Sequence, residues 1–307
     1  MRIGVSMQWT RCVMAIGLAL WAGMAAAQPA GDAFGATLQQ LLAEGKHPYV
    51  AAPDLASERA PLQQLYEGHG WQPLWFEDQT PTRPALATLS LLRGAENYGL
   101  HSGDYEANRI LYHLVDLVTT PGAHPDQWAQ FDLALSAAVL RFITHVHYGR
   151  IDPKQAGFDI TVAADRIDRL SILEAAATAT DPAAVFARIE PPYEHYQLLK
   201  AALPKFRLLA LETGLTDLPA FSGRSVKPGE TYAGAPALRH LLVTLGDLPA
   251  DSAAPATDLT LDSALVTALK QFQTLHGLAP DGALGKETFR HLTTPLLHRV
   301  EQIELTL

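Results

Sequence analysis

The sequence predicts an all-α protein, with a long helical region followed by a smaller three-helix segment. Three observations predict it. Apolar residues recur at three- and four-residue spacing through most of the chain, as in helices that bury one face. Alternating β-branched stretches, which a large sheet would need, are scarce. Glycine, proline and aspartate punctuate the periodic stretches at the places where helices start and stop.

At the N-terminus, Arg2 and Arg11 precede an uncharged, largely apolar run from Val13 to Ala27 that closes on Ala25-Ala26-Ala27. This pattern predicts a signal peptide, residues 1–27, cut after Ala27, and an exported, periplasmic protein. The run is shorter than the ~18 apolar residues of a spanning helix, so no membrane insertion is expected after leader removal. Cys12 lies before the apolar run and not at the cleavage point, which argues against a lipid anchor. The remaining 280 residues suffice for one or two domains and contain no cysteine, hence no disulfide and no thiol nucleophile. The leader takes two of the 23 basic residues and none of the 32 acidic ones, leaving a net charge of −11. That charge disfavours nucleic acid and anionic membrane surfaces as partners.

Residues 37–44 form a short amphipathic stretch, and residues 58–68 place Leu62, Leu65 and Tyr66 on one face. Trp71-Gln72-Pro73-Leu74-Trp75-Phe76 breaks the period, because Pro73 lacks a donor and biases its neighbour away from helix. A helix resumes over 84–98 through Leu86, Leu89, Leu92 and Tyr98, and Gly99-Leu100 ends it as a glycine cap. Asp104 is the expected N-cap for 105–118. The longest helix, 126–148, carries Phe131, Leu135, Val139, Phe142 and Val146 as one stripe and stops at Gly149. Two helices follow near 168–179 and 182–189, the second announced by Asp181-Pro182. Residues 193–212 form another, with a kink or break expected at Pro204. The apolar period is then lost over 213–235. The expected layout is a helical domain over 28–225, a linker over 226–235, a three-helix domain over 236–294 and a helical tail over 295–307.

Three stripes define the smaller domain: Leu238, Leu241, Leu242 and Leu245; then Leu261, Leu265, Ala268, Leu269, Phe272 and Leu275; then Leu284, Phe289 and Leu292. No single amphipathic helix buries its own stripe, so the three must pack on one another. His276-Gly277-Leu278 caps the middle helix, and Asp281-Gly282 and Gly285 supply turns. The ordered words Leu238-Arg239, Leu241, Leu245-Gly246-Asp247-Leu248, Ala268, Phe272-Gln273, His276-Gly277-Leu278, Asp281-Gly282, Gly285 and Thr288 resemble the small peptidoglycan-binding domain of wall-lytic and wall-building proteins. The resemblance implies peptidoglycan as partner. Most of these positions are packing or turn positions. Gln273, His276, Asp281 and Thr288 are the polar members left as candidate ligand-binding residues.

The upstream region resembles the N-terminal helical scaffold domain of large L,D-transpeptidases. The matching words are Leu65-Tyr66, Gly70-Trp71-Gln72-Pro73-Leu74-Trp75, Ala95-Glu96, Gly99-Leu100, Asp104-Tyr105, Asp132 and Tyr148-Gly149-Arg150-Ile151-Asp152-Pro153. They continue through Tyr196, Leu199-Lys200-Ala201-Ala202-Leu203, Lys227-Pro228-Gly229-Glu230 and Arg299-Val300-Glu301-Gln302-Ile303-Glu304. In that family a catalytic domain with a Ser-His-Gly-Cys motif follows, its thiolate attacking the donor stem peptide. Here the only cysteine is Cys12. The expectation is therefore a non-catalytic periplasmic scaffold that binds peptidoglycan, with cell-wall enzymes as possible partners and no catalytic residues. Two alternatives stand beside it: the truncated front piece of an L,D-transpeptidase, and a helical protein–protein adaptor of the cell envelope.

Other chemistry finds little support. His145 and His147 are two apart on a helix, about 200° around it, and cannot share an ion. One is expected partly buried and the other solvated. Gly282-Ala283-Leu284-Gly285-Lys286 hints at a phosphate loop, but Pro280 stands at the first glycine position and Glu287 where Ser or Thr is required. Glu194 with His195 reads as a solvated helix face. Tyr66, Trp71, Trp75 and Phe76 read as core between the first helices ahead of a sugar-stacking patch. No metal and no cofactor are expected.

Overall fold

In the computed structural model, residues 30–120, 122–151, 157, 167–252 and 258–307 are described. The expected leader over residues 1–27, with Cys12, and the Asp152-Pro153 pair lie outside them. The fold is all-α. Helices run in the order α1 (Ala30–Glu44), α2 (Ala52–Gly68), α3 (Arg83–Arg93), α4 (Ala107–Thr119), α5 (Pro125–Tyr148) and α6 (Arg169–Thr178). They continue as α7 (Pro182–Phe186), α8 (Glu194–Leu209), α9 (Ala235–Leu245), α10 (Ser263–Leu275), α11 (Lys286–Leu292) and α12 (Leu296–Thr306). The strands are two-residue pieces: β1 (Phe76–Glu77) pairs antiparallel with β2 (Thr80–Pro81), and β3 (Ser225–Val226) with β4 (Leu284–Gly285). No helix among the described residues is long and apolar enough to cross a membrane.

The chain divides into two compact units, one running to Ala85 and including Arg109–Ala137, the other formed by Leu86–Asn108 and Ala138–Leu307. In the first, Phe34, Leu38 and Leu42 recur every four residues on α1, and Leu55, Leu62, Leu65 and Tyr66 line α2; all are buried. The break after α2 is organised by a buried carboxylate. Asp132 accepts hydrogen bonds from Tyr66 Oη (2.6 Å), Leu74 N (3.1 Å) and Trp75 N (2.9 Å), and Trp75 Nε1 donates to Ser136 Oγ (2.9 Å). The amides after Pro73 have no helical acceptor, so the side chain of α5 supplies one. Burial pushes the Asp132 carboxyl up to about 6 against the pull of these donors. Tyr66 and Trp75 are fully buried, with Trp71 and Phe76 half-buried beside them, which is the core arrangement.

In the second unit, Phe142 of α5 meets Tyr98, Tyr105 and Phe186 edge-on at ring separations of 5.2–5.4 Å. Asp168 and Asp181 cap α6 and α7 through their side chains. Asp104 does not cap α4. It lies inside a 3₁₀ turn, Ser102–Tyr105, where its carbonyl accepts from Arg141 and its carboxylate pairs with Arg150 at 3.3 Å. The expected helix over 84–98 is likewise two pieces, α3 and a 3₁₀ turn over Ala95–Tyr98 separated by Gly94. Helix α8 runs through Pro204 without a break. Leu203 is buried against Val300 and Ile303 of α12, and Arg207 bonds both Glu304 (2.6 Å) and the Glu96 carbonyl (2.6 Å). These contacts on either side of the proline offset the one helical hydrogen bond it removes.

Candidate functional site

Helices α9, α10 and α11 pack the three stripes on one another, with Leu238, Leu241, Leu242, Leu265, Leu269, Phe272, Leu284 and Leu292 inside one core; Leu275, expected in the middle stripe, is instead exposed at the end of α10. Asp262 caps α10 by accepting from Leu265 N (2.9 Å) and pairs with the buried Arg239 of α9 at 2.6 Å. Residues 225–232 are tied to this segment. Strand β3 pairs with β4, Gly229 N donates to the Leu261 carbonyl, Tyr232 N to that of Leu259, and Tyr232 itself is buried.

Gln273 is the hub of the loop after α10. It is 1 % exposed, and its amide uses both ends. The two N–H donors of Nε2 are shared among Asp281 Oδ1 (2.9 Å), the Ala283 carbonyl (3.0 Å) and Thr288 Oγ1 (3.1 Å), while Oε1 accepts from Gly282 N (2.9 Å). Gly282 has φ +73°, and a Cβ there would stand 2.8 Å from Val266 Cγ1. Only glycine fits the turn that brings its amide onto Gln273. The 281–288 turn is thus held rigid from beneath by one side chain.

That turn forms one wall of a groove of about 640 Å³ edged by polar side chains. Asp281 and Thr288 line it together with Arg224, Ser225, Lys286 and Glu287, and the edge of Gln273 forms part of its base. Three of the four residues picked out from sequence, Gln273, Asp281 and Thr288, are brought together. His276 is not. Its ring stacks on Phe272 at 3.8 Å, its Nδ1 bonds the Phe272 carbonyl (2.8 Å), and it faces a separate apolar cleft. Sequence reasoning missed Arg224 and Ser225, which stand in an aperiodic stretch and reach the groove only because β3 pairs with β4.

The remaining sequence candidates have ordinary partners. His145 Nδ1 bonds Tyr105 Oη (2.9 Å) and His147 Nδ1 bonds the Ile189 carbonyl (3.0 Å). Both rings are half-buried, so neither is the solvated one expected; each is drawn in by its own partner. Glu194 and His195 are exposed. Among the described residues no group of His, Cys, Asp and Glu could hold a metal ion.

A family model described as a scaffold domain matches residues 60–203, and one described as a peptidoglycan binding domain matches residues 233–292. The second match spans α9 to α11 and the groove residues from Gln273 to Thr288, while Arg224 and Ser225 precede it. No curated protein matches the chain.

Proposed function

From a chain that carries a scaffold domain followed by a peptidoglycan-binding domain, we propose a periplasmic, non-catalytic scaffold that holds peptidoglycan in the groove beside α10. The observation that carries the reading is the groove lined mostly by residues of the matched binding domain, walled by a turn that Gln273 makes rigid. A rigid wall lowers the ordering cost of binding a flexible glycopeptide. Arg224, Lys286, Asp281 and Glu287 offer both signs of charge, suited to a ligand bearing amide, hydroxyl and carboxylate groups. The residue division 28–225, 226–235, 236–294 and 295–307 is proposed with this reading. Absence of a thiol outside the leader supports a role without transpeptidation.

Co-sedimentation of the purified protein with sacculi tests the binding. The parent is expected in the pellet, and Arg224→Ala with Lys286→Ala is expected to shift it toward the supernatant without changing the helical signal. A parent that stays in the supernatant makes the adaptor reading the better one. Cross-link formation from tetrapeptide donors by the purified chain would overturn the non-catalytic part. Mass measurement of periplasmic material is expected to give an N-terminus at Gln28.

A further inference from the structure

A second cleft, of about 470 Å³, lies apart from the groove walled by the 281–288 turn. Its floor is apolar: Leu199 and Phe206 from α8, Leu241 from α9, Phe272 from α10, Leu292 from α11 and Ile303 from α12. Its volume falls within the ~300–1,000 Å³ of small-molecule sites, which combine apolar walls with a few convergent polar groups.

The polar groups at its rim are unbalanced. Asp247 and His276 stand at one end, where burial pushes the Asp247 carboxyl up while His276 and Lys205 draw it down. His276, His291 and Arg299 then cluster. The two imidazoles are 5.6 Å apart, and burial together with Arg290, His276 and Arg299 holds the His291 imidazole below its ordinary range. Arg299 is half-buried, and among the described residues its hydrogen-bond partner is the neutral Gln302 (3.1 Å). Arg290 is already occupied by Glu287 at 2.7 Å. Among the described residues none of the three clustered groups has an ion-pair partner. Asp247 is the one carboxylate of the lining, so three potential cations at the mouth of the cleft leave a surplus of positive charge that an anionic headgroup would balance.

We propose that this cleft binds a small amphipathic carboxylate, its apolar chain on the leucine and phenylalanine floor and its carboxylate among His276, His291 and Arg299. Stacking on Phe272 and donation from Nδ1–H to the Phe272 carbonyl fix the His276 ring and leave Nε2 to donate to the ligand carboxylate in the protonated ring.

Titration calorimetry of the purified protein with octanoate tests the proposal, with octanol and acetate as controls. Octanoate should bind saturably, and each control, lacking head or tail, should bind about tenfold or more weakly. The paired substitution His291→Gln with Arg299→Gln should weaken octanoate by about tenfold or more and bring it level with octanol. Ala202→Trp, which fills the floor from α8, should abolish octanoate binding. Co-sedimentation with sacculi should be unchanged in the His291→Gln/Arg299→Gln protein, separating this site from the groove walled by the 281–288 turn. In a histidine NMR titration, octanoate should raise the pKa of His291. Octanol binding as tightly as octanoate, or a paired variant that melts and binds octanoate like the parent, would overturn the assignment.

Discussion

Gln273 shows how much a single amide can carry. A full hydrogen bond contributes ~1 kcal/mol net, and removing this amide takes away two N–H donors and one acceptor, leaving the Gly282 N–H and Thr288 hydroxyl short of partners in a buried place. Gln273→Ala should therefore destabilise the protein by about 2–4 kcal/mol, read as a lower Tm, and loosen the groove wall. Gln273→Glu keeps the acceptor for Gly282 but loses the donor and faces Asp281, so it should not rescue. A second residue-scale effect is a pH dependence. His47 Nε2 bonds the Gln130 carbonyl (2.9 Å) while its Nδ1 accepts from Tyr49 N (3.0 Å), an arrangement that uses the neutral ring. Burial lowers its pKa from 6.5 to about 4. The unfolded chain takes up this proton first, so the His47 contribution is intact above 6.5 and fades as pH falls toward 4. Asp132 works in the opposite sense, its carboxyl raised from 3.8 to about 6, so that it gains stability as pH falls through that window. Chemical denaturation between pH 4 and 7 should show His47→Gln losing the acid-side decline and Asp132→Asn deepening it.

At the scale of elements, Asp262 joins two helices. Its carboxylate caps α10 and answers the buried guanidinium of α9, which also bonds the Ser252 carbonyl (2.9 Å). Asp262→Ala removes a cap worth ~1 kcal/mol and strands Arg239, for a total of about 2–4 kcal/mol. Asp262→Asn keeps the capping oxygen and should recover the cap portion alone, so the difference between the two melts isolates the charge pair. Helix α8 makes a complementary point: Pro204 predicts interruption locally, yet the packing of Leu203 and the anchoring of Arg207 keep one helix from Glu194 to Leu209.

For the molecule as a whole, charge decides the manner of ligand holding. The segment 236–294 carries four Lys/Arg against six Asp/Glu, so no basic face draws it to an anionic polymer. Sacculus binding should accordingly change little, by less than about threefold, between low salt and a Debye length of ~4–5 Å. A steep loss with salt, measured by co-sedimentation, would point to surface charge in place of the groove.

The helices and the two matched domains were legible in the sequence because apolar periodicity and caps are local signals: Asp181-Pro182, the Phe131–Val146 stripe and His276-Gly277-Leu278 all sit where helices start, pack and stop. So was the small three-helix core, since three stripes with no other partner must meet. The site was legible only in part. Side-chain type marked Gln273, Asp281 and Thr288 as polar, but not that Gln273 would be spent inside the fold, nor that His276 would turn away to a different cleft. Arg224 and Ser225 enter the groove through a strand pairing across some sixty residues of sequence, which no local pattern encodes. Asp104 read as a cap and became the partner of Arg141 and Arg150 for the same reason. Periodicity and capping are set by neighbours in sequence. Which polar group is left facing solvent is set by whichever distant donor or acceptor reaches it first in the packed chain, and only the tertiary structure decides that.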